Sequence, residues 1–216
     1  MSQLTRGHLA NGDIRKVLSM PTDLEWTDEQ LQRSLDATLG VRPDGPIWVF
    51  AYGSLIWNPL MPFTAQDNAT LEGWQRSFCV RTIAARGTPE HPGRVLGLEP
   101  GGMTHGVAYC LPEDGLQSEL RMLWAREMGS GVYLPSWGRL VLGSGEVVSG
   151  LAFVVNAKQA LYEQDSAAST VIAHAAKAVG AFGSNADYIL NLADALLARG
   201  LSDPYVFEIA DALRSR

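Results

Sequence analysis

The sequence has little positive charge and no segment suited to a membrane. Its 17 lysines and arginines are outnumbered by 23 aspartates and glutamates, which gives a formal net charge of -6. Because such a chain carries no basic surface, we do not expect a nucleic-acid partner. No apolar run is long enough to cross a bilayer, and the N-terminus has scattered charges instead of a signal-peptide core. We therefore expect a cytoplasmic protein that does not contact membranes.

Cysteine is scarce, and the usual signatures of metal and nucleotide sites are missing. Cys79 and Cys110 both lie in apolar runs, which predicts buried free thiols in a reducing compartment, with one disulfide as the alternative. The four histidines lack metal-site spacing, and no two cysteines are close in sequence. Neither a Walker motif nor a GxGxxG after the first predicted strand is present. We expect no metal and no cofactor.

The order of the predicted elements favours an α+β fold. Strands are predicted through the middle of the chain and helices at both ends, with one helix inserted among the strands. A capping box at Thr27–Gln30 begins the first long helix, and residues 1–25 are expected to wrap the surface, with partial mobility as the alternative. We divide the chain into an N-terminal extension with its helix, residues 1–45, and a domain over residues 46–216. The sheet is expected to be curled or closed, with flanking helices.

Three local patterns predict element boundaries. The Gly101-Gly102 pair is typical of a hairpin turn, here between strands over Arg94–Leu98 and Met103–Leu111. The stretch Lys158–Val179 predicts one helix, with a break near residues 166–170 as the alternative. Asn185 precedes a run with helical periodicity, which favours a role as the helix N-cap.

The stretch around Gly53 is the first candidate for a functional site. Ile47–Tyr52 is an apolar, β-branched and aromatic run that predicts a buried strand, and it ends abruptly at Gly53-Ser54. A sharp turn after a buried strand presents backbone N–H groups that bind a carboxylate or carbonyl oxygen. An ordinary strand-to-loop turn is the alternative. Ser54 as a nucleophile is disfavoured because the surrounding residues are not GxSxG and no histidine is placed as its base.

The second candidate is a carboxylate on an apolar helix face. In the predicted helix Glu113–Met128, leucines at positions 116, 120 and 123 form a stripe, and Glu127 occupies its next position. Burial and the negative end of the helix dipole would both raise the pKa of this carboxyl group. A raised pKa suits a group that takes and returns a proton near neutral pH. The alternatives are a surface carboxylate at a frayed helix end and a buried partner for an arginine.

The two candidates also carry a resemblance to a known family. The chain from Ile47 to Leu213 resembles the ChaC-type γ-glutamylcyclotransferases. The similar segments are Tyr52-Gly53-Ser54-Leu55-Ile56-Trp57, Arg86-Gly87-Thr88-Pro89 with Pro92-Gly93, Gly106-Val107-Ala108-Tyr109, Arg126-Glu127 with Gly129, and Gly183-Ser184-Asn185 with Tyr188. The stretch Gly129-Ser130-Gly131-Val132-Tyr133 departs from a shorter glycine-tyrosine segment in the familiar eukaryotic members.

The resemblance implies a fold, an activity and a set of site residues. It implies a γ-glutamylcyclotransferase-like barrel that cleaves glutathione to 5-oxoproline and Cys-Gly without a cofactor, with residues 46–216 as the catalytic domain. The substrate's own α-amine attacks its γ-carbonyl, and Glu127 acts as the general acid and base. The implied substrate-binding residues are Tyr52, Gly53, Ser54, Leu55, Arg86, Tyr133, Asn185 and Tyr188.

Two other functions stay open on the sequence. The first is the same ring closure on γ-glutamyl-amino acids or γ-glutamylamines, because the family has relatives that act on such compounds. The second is a non-catalytic module that uses the turn to bind an acidic ligand. The sequence does not indicate the oligomeric state.

Overall fold

The computed structural model describes residues 4–216 of the chain. Its helices are α1 (Arg6–Ala10), α2 (Asp13–Leu18), α3 (Asp28–Leu39), α4 (Leu116–Glu127), α5 (Ala168–Ala175), α6 (Asn185–Ala198) and α7 (Pro204–Arg214). Its strands are β1 (Trp48–Ala51), β2 (Ala65–Thr82), β3 (Gly93–Cys110), β4 (Tyr133–Leu142), β5 (Val147–Val155), β6 (Val179–Gly180) and β7 (Gly183–Ser184). Among these residues, no helix combines the length and apolar character that a bilayer span requires.

The first five strands close into a barrel in the order β1-β3-β2-β4-β5. The neighbours are antiparallel, except that β1 and β5 run parallel and close the barrel. Phe50 of β1 and Phe153 of β5 are almost completely buried, and the helices pack around the barrel. Full closure leaves the barrel strands no free edge. The prediction of an α+β fold with a closed sheet and flanking helices is confirmed.

The predicted hairpin at Gly101-Gly102 is wrong. Both glycines lie inside the continuous strand β3, which pairs with β2 along its length, and the chain reverses in the loop of residues 83–92 instead. Their φ angles of 118° and 63° lie in the left-handed region that favours glycine. The register shifts between Glu72 and Trp74 on the facing strand. The glycine pair therefore belongs to a bulge, which bends a strand without ending it.

The predicted helix over Lys158–Val179 is also too long, because only α5 is helical in this stretch. The segment before α5 is held against β2 instead. The N–H of Glu163 donates to the carbonyl of Cys79 at 2.8 Å, and Tyr162 forms an isolated bridge with Val80. Pairing with a barrel strand thus overrides the helical preference of an alanine-rich sequence.

The two cysteines are buried free thiols, as predicted. Cys79 lies on β2 and Cys110 lies on β3. Burial raises the pKa of Cys79 to about 12, so this thiol stays protonated at neutral pH.

The N-terminal segment wraps the surface of the barrel, as predicted. Arg6 of α1 forms an ion pair with Glu119 of α4 and donates to the carbonyl of Leu60 at 3.0 Å. The side-chain amide of Asn58 donates to the carbonyl of Leu4 at 3.1 Å. These contacts place α1 beside the loop that follows β1.

Candidate active site

A buried arginine fixes the end of β1. Nε of Arg76 donates to the carbonyl of Tyr52 at 2.8 Å, and the same guanidinium pairs with Asp203 at the N-cap of α7. The Tyr52 hydroxyl donates to the carbonyl of Phe153 at 2.6 Å. The backbone immediately before Gly53 is therefore held from two sides.

The predicted turn after β1 is present at Gly53. A short 3₁₀ helix, Ser54–Ile56, follows it, and the first N–H groups of such a turn have no intrahelical partner. A Cβ atom on Gly53 would lie 3.2 Å from the hydroxyl oxygen of Tyr188, which is closer than ordinary van der Waals contact. A larger residue at this position would therefore displace either the turn or Tyr188.

Arg126 joins this turn to the end of α4. Its NH2 group donates to the Ser54 hydroxyl at 2.9 Å, and its NH1 group donates to the carbonyl of Asn58 at 2.6 Å. Its Nε atom lies 3.0 Å from Oε1 of Glu127. The Arg126 side chain is only 6% exposed. One buried guanidinium thus sets the distance between the turn and the carboxylate.

Glu127 occupies the last residue of α4, and its side chain is 16% exposed. Burial raises its pKa above the ordinary value for a glutamate, while the charge and hydrogen bond of Arg126 act in the opposite direction. Within residues 4–216, the carboxylate has its ion pair through Oε1. The interpretation of Glu127 as a surface carboxylate is wrong. The structure shows a carboxylate that has a raised pKa and is also the partner of a buried arginine.

These groups line one cleft with a volume of about 230 Å³ at the end of the barrel. Its polar side is formed by Ser54, Asn58, Arg86, Arg126, Glu127 and Tyr188. Residues 4–216 contain no cluster of three histidine, cysteine, aspartate or glutamate side chains that could hold a metal ion. The arrangement offers one carboxylate for proton transfer beside backbone donors that stabilise a negatively charged oxygen.

Two tyrosines form the floor of the cleft around Leu96. The Tyr133 hydroxyl donates to the carbonyl of Leu96 at 2.6 Å, and the Tyr188 hydroxyl lies on the same side of Gly53 as the Leu96 side chain. Burial raises the pKa of Tyr188 to about 12, so this hydroxyl stays protonated at neutral pH. Trp57 packs edge-on against the Tyr188 ring, with 5.5 Å between the ring centroids.

The guanidinium group of Arg86 places a positive charge in the cleft. Its guanidinium carbon lies 5.9 Å from the centre of the Tyr188 ring, and NH1 donates to the carbonyl of Ser184 at 3.3 Å. Burial is the largest effect on its pKa and lowers it. Within residues 4–216, no carboxylate forms an ion pair with Arg86. Its charge is therefore available to an anionic group in the cleft.

The structure separates the predicted site residues into two groups. Ser54, Arg86, Glu127, Tyr133 and Tyr188 all line the cleft, and Gly53 lies against Tyr188. The other three have side chains in the core.

Tyr52 and Leu55 both belong to the main apolar core, and Asn185 is fully buried. The prediction that Asn185 caps α6 is wrong, because Ser184 is the N-cap and accepts from the N–H of Asp187. Both ends of the Asn185 amide bind the backbone of Arg94, at 2.7 Å each, and the side chain is fully buried, so it is not accessible to a substrate.

Two contributions to the site were not predicted. The sequence names an arginine partner for Glu127 only as an alternative, and it does not predict that Arg126 also connects the turn to this carboxylate. The N-terminal segment was expected only to wrap the surface, yet Ile14, Leu18 and Met20 form a wall of the cleft. Helices of five and six residues give too little periodicity to predict which face is buried.

Comparison with known families identifies the family to which the chain belongs. The profile of the ChaC-like protein family matches residues 47–216, which include β1, the turn at Gly53 and Glu127. The chain belongs to this family. The resemblance seen in the sequence is confirmed.

Named relatives and solved structures agree with this membership. The ChaC-like chain is 45% identical over 196 residues to the glutathione-specific gamma-glutamylcyclotransferase of Escherichia coli, covering 90% of this chain and 85% of that protein. The human glutathione-specific gamma-glutamylcyclotransferase 1 is 28% identical over 152 residues, with 68% of each chain covered. The crystal structure of a glutathione-specific enzyme from yeast matches with a TM-score of 0.73 at 22% identity, covering 80% of this chain and 97% of that one. At that identity, the yeast structure supports the fold alone.

Proposed function

We propose that this ChaC-like protein is a γ-glutamylcyclotransferase that converts glutathione to 5-oxoproline and Cys-Gly. The family membership and the printed activity of the Escherichia coli relative support the reaction class and the substrate. The observation that carries the proposal is the position of Glu127, a buried carboxylate held in the cleft by Arg126 beside the turn at Gly53.

The reaction needs a fixed substrate conformation more than a protein nucleophile. The α-amine of the glutamyl group attacks the γ-carbonyl carbon, a five-membered ring closes, and the amide bond to cysteine breaks. The new C–N bond replaces the old one, so neither water nor an oxidant is consumed. Because both reacting groups belong to one molecule, orientation alone contributes several kcal/mol to the rate.

Glu127 moves the proton in this scheme. As a carboxylate, it takes a proton from the attacking amine and returns it to the leaving amide nitrogen. Its raised pKa brings the group closer to neutrality, where one side chain is effective both as base and as acid. The Oε1 atom is held by Arg126, which leaves Oε2 to face the reacting atoms.

The turn and Arg86 bind the ends of the substrate. The free N–H groups from Gly53 to Leu55 hold the γ-glutamyl group and stabilise the oxygen of the tetrahedral intermediate. Arg86 pairs with a substrate carboxylate, since no carboxylate of residues 4–216 forms an ion pair with it and only the charge of Asp187 acts on it from nearby. Arg126 is a positioning residue that sets the turn against Glu127.

The same cleft geometry suits other γ-glutamyl compounds, so the substrate test must compare them. The purified protein is incubated separately with glutathione, a γ-glutamyl-amino acid and a γ-glutamylamine, and 5-oxoproline is measured by chromatography. We expect 5-oxoproline and Cys-Gly from glutathione, with the highest kcat/KM of the three. If 5-oxoproline forms only from the γ-glutamyl-amino acid or the γ-glutamylamine, these compounds and not glutathione are the substrates. If no compound yields 5-oxoproline, the protein is better explained as a non-catalytic binding module.

We further propose that the enzyme acts in the cytoplasm. Cys79 and Cys110 are buried as free thiols, which suits a reducing compartment. Fractionation of cells with an antibody against the protein tests this directly. Recovery of the protein in an oxidising compartment would contradict it.

A further inference from the structure

Six apolar residues line the cleft and have no role in the proposed reaction on glutathione. We call this part of the lining the apolar chamber and define it by Leu18, Met20, Val80, Ile83, Val132 and Leu161. Three of them, Val80, Val132 and Leu161, belong to a small apolar cluster that is distinct from the main core, and Ile83 packs against that cluster. Tyr133 packs against both clusters, so the chamber begins where the floor of the candidate active site ends.

The chamber has two walls of different origin. One wall is formed by barrel strands and the segment after β5, where Val80, Val132 and Leu161 are all nearly fully buried. The opposite wall comes from the N-terminal segment, where Leu18 and Met20 are only partly buried. Apolar surface that remains accessible to water gains free energy when a ligand covers it. The N-terminal wall therefore favours an apolar occupant.

The charges near the chamber do not favour a polar occupant. Arg81 also lines the cleft, but its Nε atom lies 3.5 Å from a Glu163 carboxylate oxygen. Its NH2 group donates to the carbonyl of Ala160 at 3.1 Å. Arg81 is thus engaged within the protein, whereas Arg86 at the polar end is not paired with any carboxylate of residues 4–216.

The position of the chamber relative to Glu127 indicates which part of a substrate enters it. The nitrogen that leaves in the proposed reaction is the α-nitrogen of cysteine, so the cysteine side chain lies within a few bonds of Glu127. A thiol is small and fills little of a space bordered by branched and long side chains. Because Glu127 and the chamber residues line the same cleft, a substituent on the sulfur has the chamber residues within its reach.

We propose that the apolar chamber binds an alkyl or aryl substituent on the sulfur of glutathione, so that the enzyme also cleaves S-substituted glutathione. This inference rests on the proposed function. The α-amine nitrogen forms the ring bond to the γ-carbonyl carbon, the amide bond breaks, and its nitrogen receives the proton. The products are 5-oxoproline and an S-substituted Cys-Gly, and the carbon–sulfur bond is untouched.

An alkyl series tests burial of the substituent. Values of kcat/KM are measured for glutathione and for its S-methyl, S-butyl and S-hexyl derivatives, with 5-oxoproline as the readout. Each methylene that becomes fully buried raises kcat/KM by up to about fourfold. We expect S-hexylglutathione to exceed S-methylglutathione by about tenfold or more. If kcat/KM stays constant or falls as the alkyl chain lengthens, the inference is wrong.

A pair of variants tests the N-terminal wall. Met20→Asp places a charge in the chamber, and Thr22→Asp places the same charge on an exposed neighbour that does not line the cleft. We expect Met20→Asp to lower kcat/KM for S-hexylglutathione by about tenfold or more, and for glutathione by a smaller factor. Thr22→Asp should change neither value.

The outcomes separate the inference from the proposed function. Turnover of glutathione without turnover of the S-substituted derivatives would overturn the inference and leave the function standing. No 5-oxoproline from any of them would contradict both. Equal losses for both substrates in Met20→Asp would show that this wall does not contact the substituent, which would also overturn the inference.

Discussion

Helix α4 has a glutamate near each end, and the two carboxylates differ in their partners and in their position relative to the cleft. Glu119, in the first turn, is nearly buried and bound through both carboxylate oxygens by Arg6 of the N-terminal segment. Glu127, in the last turn, is also mostly buried, but Arg126 contacts it through one oxygen. Glu127 lines the cleft beside the turn, whereas Glu119 lies outside that cleft.

The difference shows that burial alone does not distinguish Glu127, the proposed proton-transfer group, from Glu119. A carboxylate that is fully paired contributes to the structure, because each of its oxygens already has a donor. A carboxylate with one oxygen held and one free is oriented and still able to move a proton. The ion pair of Glu127 with Arg126 is therefore part of the site, and that of Glu119 with Arg6 attaches the N-terminal segment.

The largest expected effect comes from Glu127→Gln, which removes the base and keeps the shape. We expect kcat for glutathione to fall by about 10³-fold or more. Because the pKa of Glu127 is raised in the folded protein, its contribution to stability is present at low pH and is lost as pH rises through that pKa. The variant should therefore unfold at pH 7 at the same temperature as wild type or higher, as measured by circular dichroism. A lower melting temperature would contradict the raised pKa.

A smaller effect is expected from Arg126→Met, which disconnects the turn from Glu127. Misplacement of either group should lower kcat by about 10- to 100-fold. The Arg126 charge lowers the pKa of Glu127, so its removal should move the acidic limb of the kcat/KM profile to higher pH. Arg126→Lys should return that limb toward its wild-type position without fully restoring kcat. An unchanged pH profile in Arg126→Met would show that the pair does not tune Glu127.

Arg86→Met tests binding apart from proton transfer. Loss of a charged partner for a substrate carboxylate should raise KM for glutathione by about tenfold, with kcat changed by less than about threefold. The matched control is Arg139→Met, because Arg139 is an exposed arginine of β4 that pairs with Glu72 at 3.4 Å and does not line the cleft. A fall in kcat with an unchanged KM would show that Arg86 does not bind the substrate.

The smallest effect is expected from Glu119→Gln. Its ion pair with Arg6 is partly exposed, because the Arg6 side chain is 47% exposed. Loss of the charge should therefore lower the free energy of unfolding by about 1 kcal/mol or less, measured by urea denaturation. We expect kcat for glutathione to stay within about threefold of wild type. A large fall in kcat would mean that attachment of the N-terminal segment is needed for the chemistry.

The sequence predicted the parts of the fold that depend on local patterns. The capping box at Thr27 begins α3, and the apolar run before Gly53 forms β1. The leucine stripe of α4 faces the core, which places Glu127 beside it. These features follow from periodicity and capping, which a single sequence contains.

The errors occur where distant segments decide the local structure. The glycine pair at 101–102 resembles a hairpin turn, but pairing with β2 continues through it as a bulge. The stretch before α5 has helical composition, yet Glu163 and Tyr162 are paired with β2. Asn185 resembles a cap, but its amide binds the backbone of Arg94. None of these partners is close in sequence, so local patterns do not predict them.

The most direct test compares Glu127→Gln with Glu119→Gln in one assay. Both variants replace a buried, arginine-paired carboxylate of α4 by its neutral amide, and 5-oxoproline formation is measured at saturating glutathione. We predict that Glu127→Gln loses nearly all turnover and Glu119→Gln keeps it. Turnover near the wild-type rate in Glu127→Gln, or an equal loss in both variants, would contradict a specific role of Glu127 in proton transfer.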